Sequence, residues 1–249
     1  MFDWLKQLVS ISDRRPRVLV AGIYLANKEN SVDHIVDELA AADRCIVTQK
    51  WVALNGKPPS PQVSAVTCDY VTGFVPKFEL INSILNSIGL HDYDFVLVCD
   101  DDVFLPNGFL DNFIDYQLMY KFSLCQPARS HNSYIDHAIV EQVDGIKARR
   151  TSFVEIGPVF SVSKGIYKYI IPFDERAPMG WGLDFVWPVM AKKYKFKMGI
   201  VDATPVDHSL RAPVVNYSHS ETEKKMFAYL SAVEHYSRSQ AFKVFDEFR

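Results

Sequence analysis

Continuous apolar runs and helical periodicities alternate along the first part of the chain. Residues 17–25 (RVLVAGIYL) form an uninterrupted apolar run, which is typical of a strand buried on both faces. Residues 32–42 place apolar side chains three and four positions apart, which predicts an amphipathic helix. The same two patterns predict further strands at residues 45–54, 63–67 and 95–99 and a helix at residues 77–88. The alternation predicts an α/β fold, in which helices flank an open, mostly parallel, Rossmann-like sheet.

The pattern is less regular in the second part. We expect helices at residues 109–113, 163–170 and 184–193, strands at residues 153–162 and 196–201, and a long loop or short helices at residues 126–148. Residues 221–249 are predicted to be a C-terminal helical segment. Residues 1–16 carry apolar side chains at roughly helical spacing, which predicts a helical extension that packs on the domain or contacts a membrane surface or a partner. The whole chain, residues 1–249, is expected to be one domain.

Composition and charge narrow the class of protein. With 249 residues, 48% of them hydrophobic, the chain is able to bury a sizeable core. Its net charge of −3 and its lack of a long basic run argue against nucleic-acid binding. The four cysteines form no CxxC pair, which argues against a zinc site or a disulfide framework and favours a reducing, cytoplasmic location. No segment resembles a membrane span, so we expect at most peripheral membrane contact.

Three adjacent aspartates, Asp100, Asp101 and Asp102, follow the apolar run at residues 95–99. Open α/β sheets bind ligands at the carboxyl ends of their strands, and this triplet is predicted to lie there. Carboxylates this close repel one another and lose hydration, and a divalent cation such as Mn²⁺ or Mg²⁺ offsets both costs. In an extended backbone Asp100 and Asp102 point the same way. The alternative is a solvated acidic turn that caps the next helix.

A Gly-Trp-Gly segment precedes another acidic residue at a predicted helix start. Gly180 and Gly182 allow a ligand to approach the backbone closely, and Trp181 offers a flat face to a sugar ring. Asp184 is a candidate proton acceptor, and an ordinary helix N-cap is the structural alternative.

Three basic or imidazole side chains lie near the ends of segments that flank the acidic strand. His208 follows a late strand and is a candidate metal ligand, although a lone histidine is more often structural. Lys77 and Arg129 are candidates to pair with a diphosphate, and solvated surface charges are the alternative for both.

Several of these segments resemble a known class of enzyme. DFVLVCDDDVF resembles the DxD element of glycosyltransferases with the GT-A fold, and GWGLD resembles the Gly-Trp-Gly-acid segment of inverting members. Together with PKFELIN, QPAR, FVEIGPVFS and VDATPVDHSLR, the ordered set is similar to a glycosyltransferase-like family of bacteria and plants over residues 18–217. The resemblance implies a metal-dependent, inverting transfer of a sugar from a nucleotide-sugar, expected to be UDP-linked, to a glycan or lipid-linked acceptor.

The resemblance also implies a role for each candidate residue. Asp100, Asp102 and His208 are expected to hold Mn²⁺ or Mg²⁺ on the donor diphosphate, and Asp184 is expected to be the catalytic base. The other expected donor and acceptor contacts are Gly22, Tyr24, Leu25 and Asp69 at the base and ribose, Lys77, Asp100, Asp101 and Arg129 at the diphosphate, and Arg129, Glu155, Gly180, Trp181 and Gly182 at the sugars.

One departure from the family's pattern and two other classes of protein leave other functions open. Many inverting relatives carry two adjacent acids after Gly-Trp-Gly, whereas Phe185 follows Asp184 here. A metal-dependent phosphatase of the haloacid-dehalogenase kind also places Asp-x-Asp after an apolar strand, but early in the chain and with Thr or Val where Phe104 stands. A non-catalytic protein of the same fold that binds a nucleotide-sugar or a glycan is the third alternative.

Overall fold

A computed structural model describes residues 14–211 and 218–249, so the predicted extension at residues 1–16 lies almost entirely outside the described residues. The strands are β1 (Arg17–Leu25), β2 (Ile46–Leu54), β3 (Thr67–Val71), β4 (Phe95–Cys99), β5 (Leu124–Arg129), β6 (Ala148–Thr151), β7 (Val159–Ser163), β8 (Met198–Val206) and β9 (Val244–Phe248). The helices are α1 (Val32–Ala40), α2 (Pro61–Val66), α3 (Lys77–Asn86), α4 (Phe109–Tyr120), α5 (Tyr167–Ile170), α6 (Leu183–Tyr194), α7 (His219–Ala232) and α8 (Arg238–Ala241). Short 3₁₀ turns lie at Leu90–Asp92, Ala138–Val140 and Lys164–Ile166. Among these helices, none is both long and apolar enough to cross a membrane.

The described strands form one nine-stranded sheet in the order β3-β2-β1-β4-β7-β5-β8-β6-β9. The strands β3, β2, β1 and β4 run parallel, and β5 runs parallel to β8. In contrast, β7 lies antiparallel between β4 and β5, and β6 lies antiparallel between β8 and β9. The predicted α/β fold with helices around a central sheet is confirmed. The expected parallel order holds in the first half of the sheet, and the second half is mixed.

The central strands are apolar on both faces because helices cover both faces. All five residues of β4 are buried, as its continuous apolar sequence predicts. On one face α1 and α4 pack against the sheet through residues such as Leu39 and Phe113. On the other face α3 and α6 pack through residues such as Phe78 and Trp187. Removal of this apolar surface from water, worth about 25 cal/mol per Å², fixes the strand ends relative to one another.

Most predicted elements of the first part are confirmed, with one exception at residues 63–67. The predicted strand there is wrong, because Pro61–Val66 forms α2 and the strand begins only at Thr67. The hydroxyl of Ser60 accepts a hydrogen bond from the amide of Val63 (3.2 Å), and Pro61 occupies the first helical position. A serine cap followed by proline is a helix-start signal that outweighs a short apolar run.

The second part contains three corrections. Residues 126–148 were predicted to be a loop or short helices, but they begin within β5, whose six residues are all buried. The predicted strand at residues 153–162 is displaced, because β7 starts at Val159. The C-terminal segment is helical only in α7 and α8, and the chain then returns as β9, which pairs with β6 at the sheet edge. The two polar side chains of β5, Gln126 and Arg129, are buried because both bond to Glu155, far along the chain.

Candidate active site

The acidic triplet lies at the carboxyl end of β4, beside the end of β1. The amide of Asp100 donates a hydrogen bond to the carbonyl oxygen of Pro158 (2.8 Å), just before β7. The carboxylate of Asp101 accepts a hydrogen bond from the amide of Leu25, the last residue of β1 (2.6 Å). Two neighbouring parallel strands therefore end together at the acids, which is where open α/β sheets bind ligands.

Asp100 forms an ion pair with Lys77, the first residue of α3. The Nζ atom of Lys77 lies 2.6 Å from Oδ1 and 2.8 Å from Oδ2 of Asp100, and it donates to the carbonyl oxygen of Ile156 (3.1 Å). A side chain at Gly157 would place its Cβ 2.8 Å from Oδ2, so glycine permits this close approach. Both residues are thus at the predicted site. The metal contact predicted for Asp100 and the diphosphate contact predicted for Lys77 stay predictions.

Asp101 and Asp102 share a cation, Arg211. Its guanidinium contacts the carboxylate of Asp101 and lies 3.3 Å from Oδ2 of Asp102. Burial raises the pKa of Asp101 to about 6, although Arg211 opposes that rise. Burial also acts to raise the pKa of Asp102, but the hydrogen bond from His208 and the positive charges around it hold this pKa below its usual value. Asp102 is therefore the more firmly ionised of the two.

His208 reaches the triplet because the chain after β8 pairs with the chain after β4. The amide of Phe104 donates to the carbonyl oxygen of Asp207 (2.8 Å), and the reciprocal bond is 3.1 Å. The amide of His208 donates to Oγ of Ser133 (2.9 Å). As a result, Nε2 of His208 lies 3.2 Å from Oδ1 of Asp102. The structure thus brings together two residues that are far apart in the sequence.

The residues present fit a divalent cation at Asp102 and His208. Carboxylate oxygen and imidazole nitrogen suit Mn²⁺, and carboxylate oxygen suits Mg²⁺. Within residues 14–211 and 218–249 no group of three or more His, Cys, Asp or Glu side chains is arranged around one ion position. A cation here would therefore need oxygens from a ligand or from water in addition to these two side chains.

Arg211 is a site residue that the sequence did not single out. It lies three positions after His208, and it also donates to the carbonyl oxygen of Glu29. Its side chain is 14% exposed, which is far less than expected of a solvated arginine. The sequence offers one signal, the triplet itself, because buried carboxylates require positive charge nearby. The sequence does not indicate which basic residue supplies that charge.

Asp184 lies in the first turn of α6, after two glycines with positive φ. Gly180 and Gly182 have φ of 86° and 97°, a region that other residues rarely adopt. The carboxylate of Asp184 accepts a hydrogen bond from the amide of Phe185 (3.1 Å) and is buried. Burial raises its pKa to about 7, although backbone amides of the helix start act in the other direction. A carboxyl group with this pKa exchanges its proton near neutral pH, as a general base must.

The start of α3 connects Asp184's turn to the acidic triplet. Lys77 holds Asp100, and the next residue, Phe78, donates its amide to the carbonyl oxygen of Pro178 (2.9 Å). The ring of Phe78 also occupies the space where a side chain at Gly180 would lie. The triplet and the turn before α6 therefore both contact the start of α3.

Replacing Gly180 by alanine is expected to destabilise the protein and distort this turn. The new methyl group would overlap the Phe78 ring, and the residue would keep an unfavourable positive φ. Overpacking and strain of this kind typically cost about 1–3 kcal/mol each, so we expect a combined loss of about 2–6 kcal/mol in the free energy of unfolding measured with urea. Gly165→Ala is the control, because a methyl group there meets nothing within 4 Å. Equal stability of the two variants would contradict the proposed packing.

Arg129 and Glu155 form a buried ion pair near the candidate base. Nη2 of Arg129 lies 2.5 Å from Oε2 of Glu155, and Arg129 donates to the carbonyl oxygens of Tyr134 (2.6 Å) and Gly157 (3.2 Å). Burial raises the pKa of Glu155 above its usual value; the guanidinium of Arg129 opposes this rise, and the charges of Asp136 and Asp184 add to it. Both residues were predicted to contact diphosphate or sugar. Their internal contacts instead favour a role in positioning the surrounding loops.

Trp181 lines a groove between the turn before α6 and the start of α7. Its ring meets the ring of His219 edge-on, with centroids 4.7 Å apart. The groove also includes Pro76, Met179, Glu221, Lys225 and Met226. An apolar surface with charged groups at its rim suits a sugar ring, so the predicted sugar contact of Trp181 stays a prediction.

The predicted contacts to base and ribose lie in or beside the first strands. Gly22, Tyr24 and Leu25 belong to β1 rather than to the loop after it. The ring of Trp51 fills the space beside Gly22, and the fully buried Tyr24 shares a hydrogen bond with Thr67 (2.9 Å). The backbone at Gly22 and the ring of Tyr24 therefore lie in the core, and the base and ribose contacts predicted for these two residues stay predictions. Leu25, the last residue of β1, donates its amide to Asp101 of the triplet, and Asp69 is exposed on β3.

The architecture is similar to that of known protein structures. No protein-family model and no curated protein matches the sequence. The structure of GalNAc-T7 with UDP, GalNAc and Mn²⁺ is similar, with a TM-score of 0.59, 7% identity and alignment over 89% of this chain and 49% of that chain. This chain thus spans about half the length of that protein. The S. aureus TarS 1–349 structures, one in complex with UDP-GlcNAc, align with a TM-score of 0.51 and 11% identity over 86% of this chain and 70–71% of theirs. At these identities the likeness concerns the fold, and the chain has a GT-A-like α/β fold.

Proposed function

We propose that the protein transfers a sugar from a UDP-linked donor to an acceptor hydroxyl with inversion, and that it uses a divalent cation. One observation carries the proposal: α3 joins an acidic triplet at the carboxyl end of β4 to a buried carboxyl group with a pKa of about 7. One group is suited to a diphosphate and its cation, and the other to proton removal. The similar folds occur in proteins whose structures contain UDP with Mn²⁺ or UDP-GlcNAc.

The donor would lie across the carboxyl ends of β1 and β4. Asp102 and His208 would hold Mn²⁺ or Mg²⁺, with Asp100 as the further predicted ligand, and the cation would stabilise negative charge on the departing nucleotide. Lys77 and Arg211 add positive charge at the same place, because each already lies against the triplet. Leu25 and Asp69 are our candidates near the base and ribose.

Asp184 would remove the proton from the acceptor hydroxyl. The acceptor oxygen then forms a bond to the anomeric carbon, while the bond between that carbon and the phosphate oxygen breaks. The electron pair leaves with the nucleoside diphosphate, and the proton stays on Asp184 until solvent removes it. A single displacement inverts the anomeric centre. Trp181 and the groove it lines would hold the acceptor, and the Arg129–Glu155 pair would fix the loops around it.

A thermal-shift series with UDP-GlcNAc, UDP-GalNAc, UDP-glucose and UDP, each with Mn²⁺ or EDTA, tests the proposal. A ligand at 100 times its Kd stabilises the native state by about 2.7 kcal/mol, or roughly 5–10 °C in Tm for a domain of this size. We expect such a shift with at least one nucleotide and Mn²⁺, and a smaller one with EDTA. No shift with any of them would contradict the proposal.

The same samples distinguish an enzyme from a non-catalytic binding protein. Many transferases slowly hydrolyse a bound donor when water takes the place of the acceptor. Slow release of UDP from the donor that gives the largest shift is therefore expected, and it should depend on Asp184. Tight nucleotide binding without any turnover, with or without a panel of glycan acceptors, would favour the binding protein.

A further inference from the structure

We propose that a cavity at the opposite end of the sheet binds a phosphate-bearing anion. The cavity, called here the basic cavity, has a volume of about 500 Å³, within the range of small-molecule sites. It lies between the end of α6, the start of β8, the edge strand β9 and its neighbour β6. The residues that carry the inference are Arg150, Lys192, Lys195, Lys197, Tyr236 and Phe245.

The charge of the basic cavity is one-sided. Four of its lining residues are Lys or Arg, and its lining contains no Asp or Glu. Among the described residues, none of Lys192, Lys195 and Lys197 forms an ion pair, whereas Arg150 pairs with Asp246 (3.1 Å). Like charges that converge on one concave surface repel one another, and a bound anion removes that repulsion. This cluster contrasts with the net charge of −3 on the whole chain.

Helix electrostatics explain only part of the cluster. Lysines in the last turn of a helix interact favourably with its C-terminal dipole, and Lys192 has this position in α6. Lys195 follows the helix, Lys197 precedes β8, and Arg150 belongs to β6. Three separate elements therefore contribute cations to one cavity, which the stabilisation of a single helix does not require.

The walls of the basic cavity indicate that the anion also carries an apolar part. Tyr236, Phe196 and Met198 line it, and the ring of Phe245 lies under the guanidinium of Arg150 at 5.2 Å. Phe245 is 53% exposed, so its ring offers apolar surface beside the cations of the cavity. Cations beside exposed apolar rings suit a phosphorylated compound, either free in solution or as the headgroup of an anionic lipid.

The lysines of the basic cavity lie at the opposite ends of α6 and β8 from the candidate active site. Another wall of the cavity comes closer, because the amide of Tyr236 donates to the carbonyl oxygen of Phe185 (2.8 Å), the residue after Asp184. Asp184 lies in the first turn of α6 and Lys192 in its last turn, so about 12 Å along the helix axis separates the two residues. Likewise His208 follows the end of β8, whereas Lys197 precedes its start. The inference therefore does not depend on the proposed transfer reaction.

The test compares two triple variants of the full chain. Lys192→Ala/Lys195→Ala/Lys197→Ala removes charge at the cavity, and Lys121→Ala/Lys147→Ala/Lys224→Ala removes equal charge from other exposed positions. Each is titrated with sodium tripolyphosphate and, separately, with vesicles of phosphatidylcholine alone or mixed equally with phosphatidylglycerol. We expect the cavity variant to bind at least about 10-fold more weakly than the control in one arm or both. Its Tm and its UDP affinity should match those of the control.

The two arms identify the source of the anion. Binding of tripolyphosphate that depends on the cavity lysines supports a free phosphorylated ligand, and binding limited to phosphatidylglycerol vesicles supports a lipid headgroup. The inference is overturned if the two triple variants bind equally in both arms. It is also overturned if the wild-type protein binds neither probe at low salt, where such attraction is strongest.

Discussion

Replacing Asp102 by alanine is expected to make nucleotide binding independent of divalent cations. In the wild-type protein we expect UDP to bind more tightly with Mn²⁺ than with EDTA, because Asp102 and His208 offer an oxygen and a nitrogen 3.2 Å apart. Loss of a group that merely supports a metal ligand typically weakens metal binding by about 10–100-fold, so loss of a ligand should cost at least as much. Calorimetric titration of UDP in Mn²⁺ and in EDTA measures both affinities.

The comparison between the two media separates a metal ligand from a structural residue. The control is Asp144→Ala, which removes the same charge from a side chain that is 85% exposed. If Asp102 binds the cation, its removal lowers affinity in Mn²⁺ and leaves affinity in EDTA close to that of the wild type. Equal losses in both media would instead assign Asp102 a role in holding Arg211 and His208. If Mn²⁺ strengthens UDP binding as much in the variant as in the wild type, Asp102 is excluded as a ligand of the cation.

The parts of this site that were predicted from the sequence are those with local signals. An apolar run that stops at three aspartates identifies a strand end, and the fully buried β4 confirms it. Two glycines before an acidic residue and a helical pattern likewise identify the start of α6. In both cases the residues that carry the signal are the residues that form the feature, so no knowledge of distant contacts is needed.

The parts that were missed depend on contacts between distant residues. Arg211 reaches Asp101 across 110 positions of the chain, and no local pattern distinguishes it from a surface arginine. Arg129 is buried at the end of β5 because Glu155, 26 positions away, pairs with it. Tyr24 is fully buried because helices cover both faces of β1, and its predicted contact with the donor stays a prediction. The order of the strands also depends on contacts between distant residues, because β7 lies between β4 and β5 in the sheet although it follows both in the sequence.

Replacing Asp184 by asparagine is expected to lower sugar transfer by about 10²–10⁴-fold while UDP affinity stays nearly unchanged. The amide oxygen of asparagine is still able to accept the hydrogen bond from Phe185 (3.1 Å), so the helix start should keep its geometry. What is lost is the capacity to take a proton. Steady-state kinetics with a saturating donor, together with UDP titration, separate the two effects. A turnover equal to that of the wild type would remove Asp184 from the mechanism.

The pH dependence of wild-type transfer and of the variant's stability tests whether burial raises the pKa of Asp184. Because burial raises the pKa of Asp184 from 3.8 to about 7, wild-type transfer should rise with pH through about 7, as the base loses its proton. The folded protein holds this proton more tightly than the unfolded chain does. The stabilising contribution of Asp184 is therefore complete below the unfolded pKa and is lost as pH rises through about 7.

Asparagine carries no charge at any of these pH values, so its stability relative to the wild type should increase between pH 4 and pH 8, by up to about 4 kcal/mol. Urea unfolding at both pH values measures the difference. A variant that is more stable at pH 8 and yet inactive would show that the fold tolerates a costly buried charge at Asp184 because proton removal requires it. A variant that is equally destabilised at both pH values and binds UDP poorly would instead make this carboxylate a structural cap of α6.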